Sequence, residues 1–127
     1  MNTESINHAK FLRLWSMAVV YASIVEISIK CNGPRSFMRD AETQAALYQI
    51  GRRGIAGEAT VTDCDGVSRK SLHQSGLAMD ISIVDENGDT VWDESKYQIV
   101  AKFWKSIGGR WGGDFTPREI WHFDLIT

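Results

Sequence analysis

Leu77-Ala78-Met79-Asp80-Ile81-Ser82-Ile83-Val84 alternates in polarity and is rich in β-branched residues, which predicts a strand. Asp80 sits inside it, between Met79 and Ile81. Aspartate is disfavoured in strand interiors, and a buried carboxylate without a partner is costly. A fold that buries this strand must therefore bring a metal, a buried arginine or several donors to Asp80.

The rest of the chain sets the frame for that strand. Its 127 residues suit one domain, since domains run about 100–150 residues. With 43% hydrophobic and 24% charged residues it is not a disordered chain. A net charge of −2 argues against a general nucleic-acid binder. Cys31 and Cys64 are too few for a disulfide scaffold and read as free thiols. The longest charge-free apolar run, Leu14 to Val25, has 12 residues, and a membrane-spanning helix needs about 20. Placed after Lys10 and Arg13, the run has the outline of a signal-peptide core. Glu4 upstream, and the alternating Glu26–Lys30 segment directly after it, favour a first core helix over roughly residues 5–24.

Ile27, Ile29 and Cys31 predict one face of a strand, followed by a turn at Asn32-Gly33-Pro34. Asp40 can cap a helix from about Ala41 to Ile50, with Ala45, Ala46 and Leu47 as its apolar positions. Residues 51–70 read as a surface loop. Asn87-Gly88 predicts a hairpin after the Asp80 strand, although Asp85, Asn87 and Asp89 also have the start of a calcium-loop spacing. Tyr97, Val100, Ala101, Trp104 and Ile107 predict an amphipathic helix over 93–107, ended by Gly108-Gly109. A closing strand over Ile120 to Ile126 places Trp121, Phe123 and Leu125 on one face and His122 and Asp124 on the other. Helices and hairpins without βαβ alternation give an α+β class with a mainly antiparallel sheet.

Three histidines occur. His8, in the polar start of the first helix, reads as a solvated residue. A turn at Gly76 can bring His73 back beside Asp80, and His122 projects from the polar face of the closing strand. Two imidazoles and a carboxylate form a recognised catalytic zinc set, which leaves a fourth position for water and lowers that water's pKa to about 7. Glu119, three residues before His122, could shuttle protons only if the chain bends near Pro117 to Ile120. By spacing alone, a zinc hydrolase, a structural zinc site and a buried Asp–Arg network all remain open.

Longer motifs narrow these. Ser71-Leu72-His73-Gln74-Ser75-Gly76-Leu77-Ala78-Met79-Asp80 resembles the S-x-H-x-x-G-x-A-x-D signature of the zinc D-Ala-D-Ala carboxypeptidase and L-alanyl-D-glutamate endopeptidase family. Glu119-Ile120-Trp121-His122-Phe123 is similar to that family's E-x-W-H-F signature. The segment Arg39 to Tyr48 is similar to its R-[ST]-x-x-x-Q-x-x-L-Y segment, with Asp40 in place of Ser or Thr. Trp111-Gly112-Gly113-Asp114-Phe115 resembles the W-G-G-D-W segment of the phage endolysin branch, with Phe115 in place of Trp. That branch often has Asp where Glu119 stands.

The resemblance implies a small α+β zinc fold of the hedgehog/DD-peptidase type, filling residues 1–127 as a single peptidase domain. It implies His73, Asp80 and His122 as zinc ligands and Glu119 as general base and then general acid. Arg39 would stabilise the oxyanion or position the carbonyl. Ser71 would hold the first ligand turn or the substrate, Asp114 would contact the substrate, and Asp124 could orient a ligand imidazole. The implied activity is hydrolysis of the peptide stem of peptidoglycan, with the L-alanyl-D-glutamate bond favoured over D-Ala-D-Ala. That suits a monomeric phage enzyme made in the host cytoplasm, acting on the periplasmic wall, with no separate wall-binding module. A binding module of the hedgehog type, with zinc only structural, is the non-enzymatic reading; Glu119 and Arg39 speak against it.

Overall fold

The computed structural model describes residues 1–33 and 35–127. Helix α1 spans Thr3–Ile24, starting slightly ahead of the apolar pattern because the Asn2 side chain accepts from the Ser5 N–H. It buries Phe11, Trp15, Ala18 and Ala22. Strand β1 is Ser28–Cys31. Ile27 is buried just before it and Ile29 is half-buried, but Cys31 is exposed, so the expected inward face stops short. The turn expected at Asn32-Gly33-Pro34 includes Pro34, which lies outside the described residues. Helix α2, Ala41–Gln49, is capped by Asp40, whose carboxylate accepts from the Thr43 N–H at 2.7 Å. Its buried residues are Gln44 and Leu47, whereas Ala46 faces solvent. The apolar pattern missed this because the buried position is polar.

Strand β2 (Ala78–Val84) is the hub of the sheet. Its second half pairs antiparallel with β1, and Ile83 and Val84 also pair with β3 (Thr90–Val91). That last pairing is the hairpin predicted at Asn87-Gly88. The Asp85 carboxylate closes it by accepting from the Asn87 and Asp89 N–H groups. Helix α3 (Glu94–Ser106) buries Tyr97, Val100, Ala101 and Trp104, as its spacing predicts. Strands β4 (Arg110–Trp111) and β5 (His122–Asp124) then complete the order β1-β2-β5-β4, with β5 antiparallel to the first half of β2. The closing strand is shorter than expected, because Ile120 and Trp121 form a turn in which the His122 N–H donates to the Glu119 carbonyl at 3.0 Å.

This is the α+β, antiparallel architecture anticipated from the sequence. Met79, Ile81 and Ile83 of β2 and Phe123 of β5 join Phe11, Trp15 and Trp104 in one core. Period-2 alternation then turns Asp80 of β2 and His122 of β5 to the opposite face. They are direct cross-strand partners.

Trp104 ties the helical layer to the strands that carry the polar face. It is fully buried, meets Phe11 and Trp15 edge-on, and its indole N–H lies 3.0 Å from both the Arg110 and Asp124 carbonyls. Trp104→Ala should cost about 3–5 kcal/mol in denaturant unfolding. Trp104→Phe should cost about 1–3 kcal/mol, because the indole N–H is lost to both carbonyls.

Candidate metal centre

Each side chain of the polar face is placed by a local device. Ser71 caps the short 3-10 turn Leu72–Ser75: its hydroxyl accepts from the His73 N–H, and Gln74 reaches back to the Ser71 N–H. Gly76 ends the turn in the left-handed region at φ 66°. A Cβ there would also overlap the His8 ring. His8 is not simply solvated, since its Nδ1 lies 3.0 Å from the Gly76 carbonyl and its ring stacks on Phe37. Phe37 in turn fixes His73, whose Nδ1 lies 2.8 Å from the Phe37 carbonyl. A carbonyl only accepts, so Nδ1 carries the proton and Nε2 is left as a lone pair.

That lone pair faces Asp80 Oδ2 at 3.3 Å. Two acceptors this close require a proton or a cation between them. On the other side of Asp80, Oδ1 lies 2.9 Å from His122 Nδ1. The second His122 nitrogen, Nε2, lies 2.8 Å from Asp124 Oδ2. Asp124 is buried rather than solvated, and it is clamped by Arg110, whose Nε and Nη2 donate at 2.8 Å each. Burial alone would raise the Asp80 carboxyl, but the hydrogen bond from His122 and a proton shared with His73 outweigh it and hold it at about 2. Burial would likewise lower His122, yet its bonds to Asp124 and Asp80 push it up to about 9. The cluster is thus built around positive charge. A cation bound by His73 Nε2, an Asp80 oxygen and His122 Nδ1 would replace the proton that His122 shares with Asp80. Donor atoms of these three residues lie within 4.8 Å of one another, and they form the one such group among the described residues. The acidic turn at Asp85–Asp89 forms no such group.

Arg39 joins the cluster through Nη2, which donates to Asp80 Oδ2 at 3.1 Å. Nε donates to the Arg35 carbonyl at 2.9 Å and Nη1 to Gln44 Oε1 at 3.2 Å. Gln44 is fully buried and its amide is anchored on Thr62 and the Cys64 carbonyl. The sequence reading assigned Gln44 no role; a glutamine on the inward side of a capped helix was the available signal. Burial lowers the Arg39 pKa, Asp80 raises it, and the nearby Arg35 charge lowers it again.

Glu119 comes to the same cleft through the bend that its spacing demanded. Phe115 and Glu119 both donate their N–H to the Gly112 carbonyl, at 3.0 and 2.8 Å. Arg118 anchors the bend by donating to the Gly113 carbonyl and pairing with Glu94 of α3. Burial raises the Glu119 pKa, and the charges of His122, Asp80 and His73 act on it. The cleft, about 870 Å³, is lined by Arg39, Ser71, His73, Asp80, Glu119 and His122 among others. Asp114 does not line it; this residue pairs with Lys105 at 2.9 Å, both exposed. Cys31 and Cys64 are both free thiols.

A three-donor cluster on the polar face of an antiparallel sheet, with a carboxylate and a guanidinium beside it, has the donor set and neighbours of a metal-centred hydrolase. Residues 65–125 match the model of the family described as D-alanyl-D-alanine carboxypeptidase. The fold is similar to the L-Ala D-Glu endopeptidase ChiX of Serratia marcescens, with a TM-score of 0.64 and 18% identity over 93% of this chain and 79% of that one. It is also similar to a mutant of the vancomycin-resistance D,D-pentapeptidase VanY, from a VanB-type resistance cassette, in complex with Zn(II). There the TM-score is 0.63 and the identity 18%, over 93% of this chain and 71% of that one. No curated protein sequence matches the chain.

Gly112 is where the bend and the site meet, because a Cβ there would overlap the Glu119 carbonyl and crowd the His122 side chain. Gly112→Ala should lower stability by about 1–3 kcal/mol in thermal or denaturant unfolding.

Proposed function

We propose that the protein is a zinc peptidase that hydrolyses the peptide stem of bacterial peptidoglycan, at the L-alanyl-D-glutamate bond. The observation that carries the reading is Glu119. It stands in the wall of the metal-capable cleft with its pKa raised by burial and its carboxylate engaged in no hydrogen bond among the described residues, which suits a proton shuttle and which a purely structural site does not need. His73, Asp80 and His122 would hold zinc, in keeping with the Zn(II) complex of the VanY relative. When bound, the ion supplies Lewis-acid polarisation of the scissile carbonyl and acidifies a water in the same site.

The chain's own residues supply the rest. Glu119 takes a proton from the attacking water and passes it to the leaving amine. Arg39 offers its remaining N–H donors to the charge that develops on the carbonyl oxygen, held in place by Gln44, the Arg35 carbonyl and Asp80. Asp124, itself clamped by Arg110, accepts from His122 Nε2 and so keeps Nδ1 aimed at the metal position. Ser71 holds the turn that carries His73.

The similarity to ChiX and the Trp111–Phe115 segment support the endopeptidase bond and a wall-lytic role of the phage endolysin type. The family description and the VanY relative support a second reading, D-Ala-D-Ala cleavage. Digestion of peptidoglycan with the zinc-loaded protein distinguishes them. New amino termini on D-glutamate support the endopeptidase, released D-alanine supports the carboxypeptidase, and no product with zinc bound refutes both.

Two variants test the assigned roles. Glu119→Gln should bind zinc stoichiometrically yet lose about 10²–10⁴ in kcat. Asp124→Ala should weaken zinc binding about 10–100-fold in a chelator competition, with the apoprotein still folded by circular dichroism.

A further inference from the structure

Strand β2 shares one of its edges between two partners. β1 takes Ile81–Val84 on one side, so β3, which pairs with Ile83 and Val84, lies on the other, where β5 pairs with Ala78–Asp80. The two ladders stop on either side of Ile81 and Ser82, and each leaves a tryptophan there: Trp121 just before β5 and Trp92 just after β3. The Trp121 carbonyl accepts from the Ile81 N–H at 2.9 Å, which seats Trp121 in this gap. The two indoles meet edge to face, with 6.4 Å between centroids and 82° between planes. Trp92 also lies parallel to the Tyr97 ring, at 5.7 Å and 7°. Tyr97 is fully buried, and its hydroxyl accepts from the Ile83 N–H and donates to the Val91 carbonyl. Trp92 is therefore held by rings on two sides, yet 52% of it is open to solvent, and it is the most exposed of the five tryptophans. Trp121 lines the metal-capable cleft and precedes His122, so the pair forms a shelf that opens from the cleft. A large apolar side chain gains most by burial, so an indole left half open on a fixed support, continuous with a cleft, marks a contact surface.

We propose that Trp92 and Trp121 form a sugar-binding shelf, which takes a pyranose ring of the glycan strand while the stem lies in the metal-capable cleft. The face of a pyranose ring presents C–H groups whose hydrogens carry partial positive charge, and the face of an indole is negative. The sugar hydroxyls project from the ring edge and stay in water, so an open aromatic shelf suits a sugar better than a closed apolar pocket would. An indole already fixed by Tyr97 loses little freedom on binding. The proposal rests on the peptidoglycan reading and bears on which bond is cut. The stem is joined to its sugar by a lactyl group on L-alanine. Two chain units therefore separate the sugar from the carbonyl of the L-alanyl-D-glutamate bond, roughly 7 Å when extended. Five units, roughly 17 Å, separate it from the D-Ala-D-Ala bond. A shelf whose inner ring is the residue next to His122 serves the nearer bond.

The test titrates the zinc-loaded protein with an N-acetylglucosamine tetramer, a peptide-free probe of the glycan chemistry, and follows the indole N–H signals by NMR. Trp92→Phe assigns the Trp92 signal by its loss. The Trp92 and Trp121 signals should move, and those of the buried Trp15, Trp104 and Trp111 should stay. Kinetics then compare a disaccharide tetrapeptide with the same tetrapeptide lacking the sugar. The sugar should raise kcat/KM about tenfold, chiefly through KM. In Trp92→Ala that ratio should collapse toward one, and Trp92→Phe should retain part of it. A Trp92 signal that the tetramer leaves in place, or an unchanged ratio in Trp92→Ala, overturns the proposal. So does a Trp92 signal that shifts with protein concentration alone, because a second copy then covers the shelf. If neither peptide is cleaved, the peptidase reading fails, and the titration still decides the sugar site.

Discussion

A carboxylate on the central strand organises this molecule. Asp80 sits on β2 among residues that the core claims, and alternation turns it to the face away from the helices. Leaving it there alone would be prohibitive, so His73, His122 and Arg39 converge on its two oxygens. Those partners come from a 3-10 turn, the neighbouring strand and the segment before α2. Satisfying one carboxylate therefore draws together most of the chain from residue 39 to residue 122.

Around Asp80 the charges are layered. Next to the cluster, every ion has a fixed partner: Asp124 is shared by His122 and Arg110, and Arg39 is spread over Asp80, Gln44 and a carbonyl. This pairing keeps the imidazoles in one tautomer and one orientation, which a metal site needs. Farther out, the pairing stops, and Glu119, Arg35, Arg69 and Lys70 face the open cleft. The boundary between matched and unmatched charge separates the groups that fix the cluster from those left open to the cleft.

The glycines of the Trp111-Gly112-Gly113 segment serve the same arrangement by being small. Gly112 lets the backbone of Glu119 and the side chain of His122 approach, and Gly113 lies against the Trp111 ring. That segment is a packing device for the bend that delivers Glu119. Asp114, next in line, points instead to Lys105. Motif membership alone does not separate residues that act from residues that make room.

The sequence determined the local elements. Caps at Asp40 and Ser71, the Asn87-Gly88 hairpin, the spacing of Tyr97 to Trp104 and the alternation around Asp80 and His122 are short-range signals, set by dihedral preference and period. It also offered His73, Asp80, His122 and Glu119 as candidates, because an aspartate in a strand needs a partner and because the longer motifs around them resemble those of a zinc peptidase family. Tertiary structure decided what depends on distant chain segments. Gln44 is buried because Thr62 and Cys64 close over it, which no helical period reveals. His8 stacks on Phe37 and meets Gly76 only because α1 crosses the ligand turn. Asp124 is buried because Arg110, across the strand pair, supplies both donors. Glu119 reaches the cleft by a bend whose hydrogen bonds run back to Gly112. Each of these rests on a partner whose position is fixed by packing, and packing is not written in local spacing.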